Sequence, residues 1–418
     1  MSTLSTLAGT LKGSEIVRLG NEINERIRQG EKIYNFTIGD FAPSVFPIPY
    51  ELEELIIKSY KEHYTNYPPA EGVYELRKTV SQFIHQREGL NYDINEILIA
   101  SGGRPLIYTL FKTIINPGDK VIYAVPSWNN NHYTHIHNAE HCVIDTTPEN
   151  NFMPLAADIA KHIQNASLIC LCTPQNPTGT TLGKEELEKI CDLIMDENNN
   201  RQADEKKVYL MFDQMYWTLT YGKTQHYNPV TLRQKMQQYT IFIDGISKAF
   251  ASTGVRVGWA LGPAGIIAKM KALLSHIGAW APMAEQKAVA QYLLQTDAVN
   301  NYLKAFKAAL EERLRKIYIG FIALKQKGYP VDAITPQAAI YLTIKIDIAG
   351  KSIDNIILQT QSDVTSYILS EAKLAVVPFY AFGADSQSPW YRLSVGTCHL
   401  EEIDPMFEQL EKALEKLQ

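Results

Sequence analysis

Lys248 stands in the run Asp244-Gly245-Ile246-Ser247-Lys248-Ala249-Phe250, directly behind the apolar stretch Tyr239–Ile243, and Arg256 follows in Thr253-Gly254-Val255-Arg256-Val257-Gly258-Trp259. A primary amine delivered at the end of a buried strand can condense with an aldehyde, and a guanidinium close behind it can hold an anion. The pair suits an aldehyde cofactor carrying a phosphate; a surface lysine after a strand is the plain alternative. Asp213 ends the apolar run Val208–Phe212, with Tyr216 three residues on. An acid at a buried strand end is costly unless paired, and a cationic ring nitrogen would pair it; capping the next turn is the other reading. In Thr173-Pro174-Gln175-Asn176-Pro177-Thr178-Gly179 two prolines bracket Asn176 where a strand stops, making a stiff loop that can hold an amide against a ligand oxygen. Asn176–Pro177 is a candidate cis bond. Ser101-Gly102-Gly103-Arg104-Pro105 joins a strand to a helix, where backbone amides and the helix dipole favour an anion. Trp128, after another strand, can stack on a flat ring or simply pack.

These residues need elements that bring strand ends together. Short apolar runs at Ile97–Ala100, Val121–Val125, Leu168–Cys172, Val208–Phe212 and Ile241–Asp244 alternate with amphipathic ones such as Pro105–Ile115 and Lys184–Met195. That alternation predicts a largely parallel sheet with helices on both faces, whose ligands sit outside the carboxyl ends of the strands. Asp196–Lys207, crowded with Asn, Asp, Glu and Lys, reads as a solvated loop. Beyond Trp259 the pattern changes to a long helical region over Ala284–Lys327, strands near Ile340–Ile346, Leu374–Val377 and Tyr391–Val395, and a closing helix: a smaller α+β domain. Ser14–Gly30 reads as a helix packed on the outside of that domain. The expected division is 1–45 as an N-terminal segment, 46–285 as the large domain and 286–418 as linking helix and small domain.

Composition excludes several classes. The 40 basic and 45 acidic residues of the 418 leave a net charge of −5, which gives no general attraction to nucleic acid or anionic membranes. Five cysteines make no disulfide framework; Cys170 and Cys172 alternate along an apolar strand as core residues of a reducing compartment. Met1–Lys12 lacks a charged-then-apolar signal pattern and no run reaches membrane-spanning length, so a cytoplasmic location is expected. His132, His135, His137 and His141 fall within ten residues, yet no Cys or carboxylate set completes a metal site.

In order, Gly39, Tyr67, Glu71-Gly72-Val73-Tyr74-Glu75-Leu76-Arg77, Gly102-Gly103, Pro126-x-Trp128, Asn176-Pro-Thr-Gly, Asp213-x-x-Tyr216, Ser247-Lys248, Arg256 and Tyr391-Arg392-Leu393-Ser394 resemble the aspartate/aromatic aminotransferase family of pyridoxal-phosphate enzymes, over almost the whole chain from about Ile33. The resemblance implies an α/β fold of type I: a mostly parallel seven-stranded sheet between helices, plus the smaller α+β domain. It implies that Lys248 bonds pyridoxal 5'-phosphate and shuttles a proton at the substrate α-carbon, that Asp213 pairs with the ring nitrogen, and that Asn176 and Tyr216 hydrogen-bond the ring oxygen. Trp128 would stack on the ring; Gly102, Gly103, Arg104, Ser247 and Arg256 would surround the phosphate, with Tyr67 reaching it from the second subunit of a homodimer. Arg392 would clamp the substrate α-carboxylate, near Gly39, in a bidentate fork.

The chain departs from that pattern at Gln214, where an acid commonly follows the aspartate, at Ala338 and Ile340 for a usual glycine and phenylalanine, and at Phe379 for the glycine usual after Pro378. The last two changes are expected near the substrate. The implied activity is ping-pong transfer of an amino group from an L-amino acid to a 2-oxo acid. Arg104, matching a lysine that binds a distal carboxylate in one branch of the family, favours an aspartate-like donor, with phosphate or solvent as its other assignment. The aromatic residues Tyr64, Tyr67 and Tyr74 keep an aromatic or kynurenine-type donor open, and a carbon–sulfur β-lyase shares the scaffold. A DNA-binding regulator built on this fold is disfavoured, since only about thirty residues precede the core, without basic bias.

Overall fold

The computed structural model of the chain describes residues 3–11 and 13–418. Met1, Ser2 and Lys12, which belong to the stretch read for a signal pattern, lie outside the described residues.

Seven strands build the large sheet: β1 (Ile97–Ala100), β2 (Lys120–Val125), β3 (Glu140–Asp145), β4 (Ala166–Cys172), β5 (Tyr209–Asp213), β6 (Thr240–Gly245) and β7 (Gly258–Leu261). Their order is β1-β7-β6-β5-β4-β2-β3. Neighbours pair in parallel throughout except around β7, which is antiparallel to β1 and β6. The inner strands are apolar without alternation because both faces are covered. Helices Gly103–Ile114 and Ala264–Ile277 close one face over Leu98, Val121, Leu168, Met211 and Ile241. Helices Tyr74–Glu88, Lys184–Asn200 and Met283–Tyr292 close the other over Ile99, Ile169, Leu210 and Phe242.

The small sheet is antiparallel, in the order β10-β11-β9-β8, from β8 (Val331–Ala333), β9 (Tyr341–Ile346), β10 (Val377–Pro378) and β11 (Trp390–Ser394). Helix Thr296–Gln326 links the two cores. Val299 and Leu303 of its apolar stripe pack with the large sheet, whereas Phe306, Leu310, Leu314, Ile317 and Phe321 pack with the small one. Helix Glu15–Arg28 lays Leu19 on Val377, Phe379 and Phe382, and Ile23 on Leu369 and Ala375. The short strand Tyr34–Asn35 pairs in parallel with Leu374–Ala375.

Several sequence expectations change here. The helix expected to stop at Met195 runs on to Asn200, into the expected loop, because buried Asn198 fastens it. The Asn198 amide donates to Val208 O and accepts from Val208 N–H, at 2.9 and 2.7 Å, securing the strand entry. The single helical region over 284–327 is two helices, Met283–Tyr292 and Thr296–Gln326. Leu374–Val377 is split: its first half pairs with the N-terminal strand and Val377 with β11. Phe379 does not face the substrate side; it is fully buried against Phe152, with ring centroids 5.1 Å apart. Ala338 and Ile340 are likewise core residues with no exposure, and neither lines the cavity described next.

Candidate active site

The carboxyl ends of β1, β2, β4, β5 and β6 open into a cavity of about 570 Å³ that is closed on the far side by the small sheet. Parallel strands place their following turns on one edge, so residues far apart in sequence converge there. Asp213, the last residue of β5, and Tyr216, in the turn after it, both face the cavity, as do Ser247 and Lys248 from the helical turn Ile246–Ala249 after β6.

Lys248 Nζ donates to Gly39 O at 2.7 Å. Removal from bulk water lowers its pKa to about 8; Asp40 opposes this, and Arg392, Arg104 and Arg256 push it further down. Asp213 moves the other way, up to about 6, because water is withdrawn and only the Met215 N–H, at 3.1 Å from Oδ1, offsets the loss. Tyr216 OH bonds Tyr341 OH at 2.6 Å, and burial raises its pKa well above the usual phenol value.

Arg256 has φ +62, in the left-handed region that side chains other than glycine and asparagine seldom adopt. Its guanidinium donates to Thr253 O at 2.7 Å and Ser101 O at 2.6 Å, which ties the turn after β1 to the loop after Lys248. Gly102, at φ +89, lies directly beneath that guanidinium, and a Cβ there would collide with it. Gly102 is therefore a support beneath the wall, while Gly103 lines the cavity itself. Arg104, exposed, lies over the Trp128 ring at 4.9 Å, and both line the cavity.

The small sheet supplies Arg392 from the middle of β11. Its two terminal nitrogens donate to Asn176 Oδ1 at 3.1 Å and to Thr37 O at 2.6 Å. Its Nε is buried without a partner, and burial pulls its pKa down. The Tyr341 and Phe382 rings flank the guanidinium at 4.8 and 4.9 Å. Gly39 packs so closely that an added Cβ would sit 2.9 Å from Tyr341 OH. Asn176–Pro177, Thr173–Pro174 and Val125–Pro126 are all cis.

Of the residues singled out from sequence, Tyr67 stands apart. It is 82% exposed, rests edge-on against Trp280 at 5.5 Å and does not line this chain's own cavity. Tyr64 and Tyr74 do not line it either. Sequence reasoning missed Tyr341, the Thr37 carbonyl and Asp40. Tyr341 and Asp40 border stretches already singled out, but a backbone carbonyl leaves no mark in a sequence. Among the described residues no group of three or more His, Cys, Asp or Glu is arranged to hold a metal. His141 instead bonds Tyr123 OH, and His137 the Tyr133 carbonyl, each at 2.8 Å.

The lining carries Lys248, Arg104, Arg256 and Arg392 against Asp213 and Asp40, an excess of positive charge suited to anions. The sequence matches the family described as "Aminotransferase class I and II" over residues 32–410, and the chain belongs to that family. It is 29% identical over 412 residues to an aspartate aminotransferase of Bacillus sp. (strain YM-2), covering 98% of each chain. It is 26% identical over 417 residues to a probable aspartate/prephenate aminotransferase of Rickettsia felis, covering 99% of this chain and 97% of the relative. Among solved structures, aspartate aminotransferase from Thermus thermophilus with maleate superposes with a TM-score of 0.85 at 26% identity, covering 100% of this chain and 99% of that one. The Rhizobium meliloti enzyme, at 23% identity and full coverage of both chains, shares the fold with a TM-score of 0.90. No helix among the described residues is long and apolar enough to cross a membrane.

Proposed function

We propose that the chain transfers the amino group of an aspartate-like L-amino acid to a 2-oxo acid, by a ping-pong route, with pyridoxal 5'-phosphate held in the cavity. The observation that carries this reading is a single positive cavity in which a lysine of lowered pKa, a carboxylate in want of a cation and an arginine with a free Nε face one another. These residues fit the cofactor: Asp213 offers its charge to the ring nitrogen, and Asn176 and Tyr216 offer donors to the ring oxygen. Arg256, Ser247 and Gly103 offer cation, hydroxyl and backbone to the phosphate, and Trp128 a face to the ring. When bound, the cofactor supplies an aldehyde that condenses with amines and a ring that accepts electrons from the α-carbon.

Everything else falls to the chain. Arg392 fixes the substrate α-carboxylate, which orients the bond to be broken. Lys248 Nζ takes the proton from the α-carbon of the donor and, in the second half-reaction, gives one to the α-carbon of the 2-oxo acid; with a pKa near 8 it can do both around neutral pH. Tyr341 holds the Tyr216 hydroxyl in place. Arg104 receives the distal carboxylate of the donor, a role supported by its place at the cavity mouth and by relatives named for aspartate. The exposure of Tyr67 outside its own cavity supports a homodimer in which it reaches the neighbouring site. Two separate sheets support the division into a large domain at 46–285 and, over 286–418, a linking helix followed by the small domain.

The test is a half-reaction screen. Holoenzyme is mixed with single amino acids, without a 2-oxo acid, and loss of the absorbance of the lysine-bound cofactor is recorded. Aspartate and glutamate should discharge it fastest. Aromatic donors doing so instead would overturn the acidic assignment, and release of pyruvate and ammonia with no acceptor would identify a lyase.

A further inference from the structure

Behind the cavity wall, on the opposite side of the turn Asp213–Trp217, lies a second polar cluster. Gln214 is fully buried and points away from the cavity. Its Nε2 donates to both carboxyl oxygens of Glu88, at 2.8 and 3.0 Å, and its Oε1 bonds His226 Nε2 at 3.3 Å. Trp217 Nε1 donates to Asp244 Oδ2 at 2.9 Å, while Asp244 Oδ1 accepts the Gly245 N–H at 2.7 Å. Asp244 thus links the turn that carries Asp213 and Tyr216 to the turn that carries Ser247 and Lys248. Glu88 ends the helix Tyr74–Glu88, so Gln214 anchors the first turn to a scaffold helix.

The side chains of Glu88 and His226 are 3% and 8% exposed. Burial raises the carboxyl pKa of Glu88 and holds that of Asp244 up at about 8, while it lowers His226 to about 3. An amide is the group this position needs: it donates to one neighbour and accepts from the other, which a carboxylate cannot do. A second acid at 214 would bring two carboxyl groups within hydrogen-bond distance in a dry pocket, where both cannot ionise and one must keep a proton, a constraint the amide avoids.

We infer that Glu88 and Gln214 are positioning residues, a reciprocal acid–amide pair that acts through the Asp213–Trp217 turn to hold Asp213 and Tyr216 in register with Lys248. This rests on the cofactor reading above. The acid of the pair comes from the end of a neighbouring helix, and the residue after Asp213 is its donor.

Four forms are compared: wild type, Gln214→Glu, Glu88→Gln, and the double exchange, which reverses the same bond. The readouts are pyridoxal-phosphate affinity by absorbance titration, the pH midpoint of the lysine-bound cofactor's absorbance, and the thermal midpoint of the cofactor-free chain. Gln214→Glu should weaken cofactor affinity by about 10- to 100-fold, the span expected for a spoiled buried hydrogen bond, and displace the pH midpoint. The double exchange should return both to within about threefold of wild type. If the variants differ from wild type only in thermal midpoint, the pair is structural and the inference falls. It falls equally if the double exchange is no better than Gln214→Glu. A wild-type chain that takes up no cofactor overturns the cofactor reading and this inference together.

Discussion

The two walls of the cavity are built on different plans. The large-sheet wall places Asp213 and Lys248 at strand ends, and among the described residues each lacks a partner of opposite charge within ion-pairing distance; removal from water shifts both pKa values toward the neutral form. The small-sheet wall places Arg392 within a strand, with both terminal nitrogens already bonded to Asn176 and Thr37. One wall is poised, with charges a ligand must complete; the other is preset, with geometry fixed before a ligand arrives. The difference teaches where substitution should act. On the poised wall, changing the chemical group removes the chemistry. On the preset wall, changing shape loosens orientation and leaves the chemistry weakened.

Lys248→Ala should give the largest effect, cutting amino transfer by roughly 10⁴-fold, since among the described residues it removes the only lysine in the cavity lining. Single-turnover rates with excess donor measure this, and retention of a tenth of the activity would break the contrast between walls. Asp213→Asn keeps the shape and removes the charge, so a loss of about 10²- to 10³-fold in kcat is expected. If Asp213→Asn instead raised KM alone, the poised description of that wall would be wrong.

Arg392→Lys keeps a charge but replaces the rigid planar fork with a single point donor, and should lower kcat/KM about 100-fold, mainly through KM. Arg104→Ala should cost about tenfold in kcat/KM with aspartate and much less with an aromatic donor, because its guanidinium is exposed and stacked on Trp128. Equal losses with both donors would remove Arg104 from substrate recognition.

The last effect concerns stability and leaves the chemistry of both walls untouched. Asp244 keeps its proton in the folded chain up to about pH 8, whereas its ordinary value is 3.8. Between those limits the folded state binds the extra proton, so stability falls as pH rises, by at most about 1.4 kcal/mol per pH unit from this group. Urea midpoints of the cofactor-free chain at pH 5 and pH 8 should therefore converge in Asp244→Asn.

Much of the poised wall was legible in the sequence because strand ends announce themselves. An apolar run that stops at Asp213, or a few residues before Lys248, puts an unusual polar group where a parallel sheet collects ligands. The preset wall was legible only through resemblance. Arg392 sits in an apolar strand with no turn to mark it, and its acceptor at Thr37 is a backbone oxygen. Tyr341 was passed over because its hydroxyl acquires meaning only against Tyr216. In the fold, β7 is not marked in the sequence because Gly258-Trp259-Ala260-Leu261 opens on a glycine and lacks the β-branched residues that mark most of the other strands. The helix end at Asn200 was misread because a run of Asp, Glu and Asn looks solvated unless the Asn198 bonds to Val208 are known.

The bond from Arg392 to the Thr37 carbonyl spans 355 residues of chain. During synthesis the ribosome releases the strands of the large sheet long before β11 emerges. The large sheet can therefore assemble around Asp213 and Lys248 while Arg392 is still untranslated. A nascent chain arrested before residue 390 would present half a pocket, with the large-sheet wall formed and Arg392 still missing from the wall opposite.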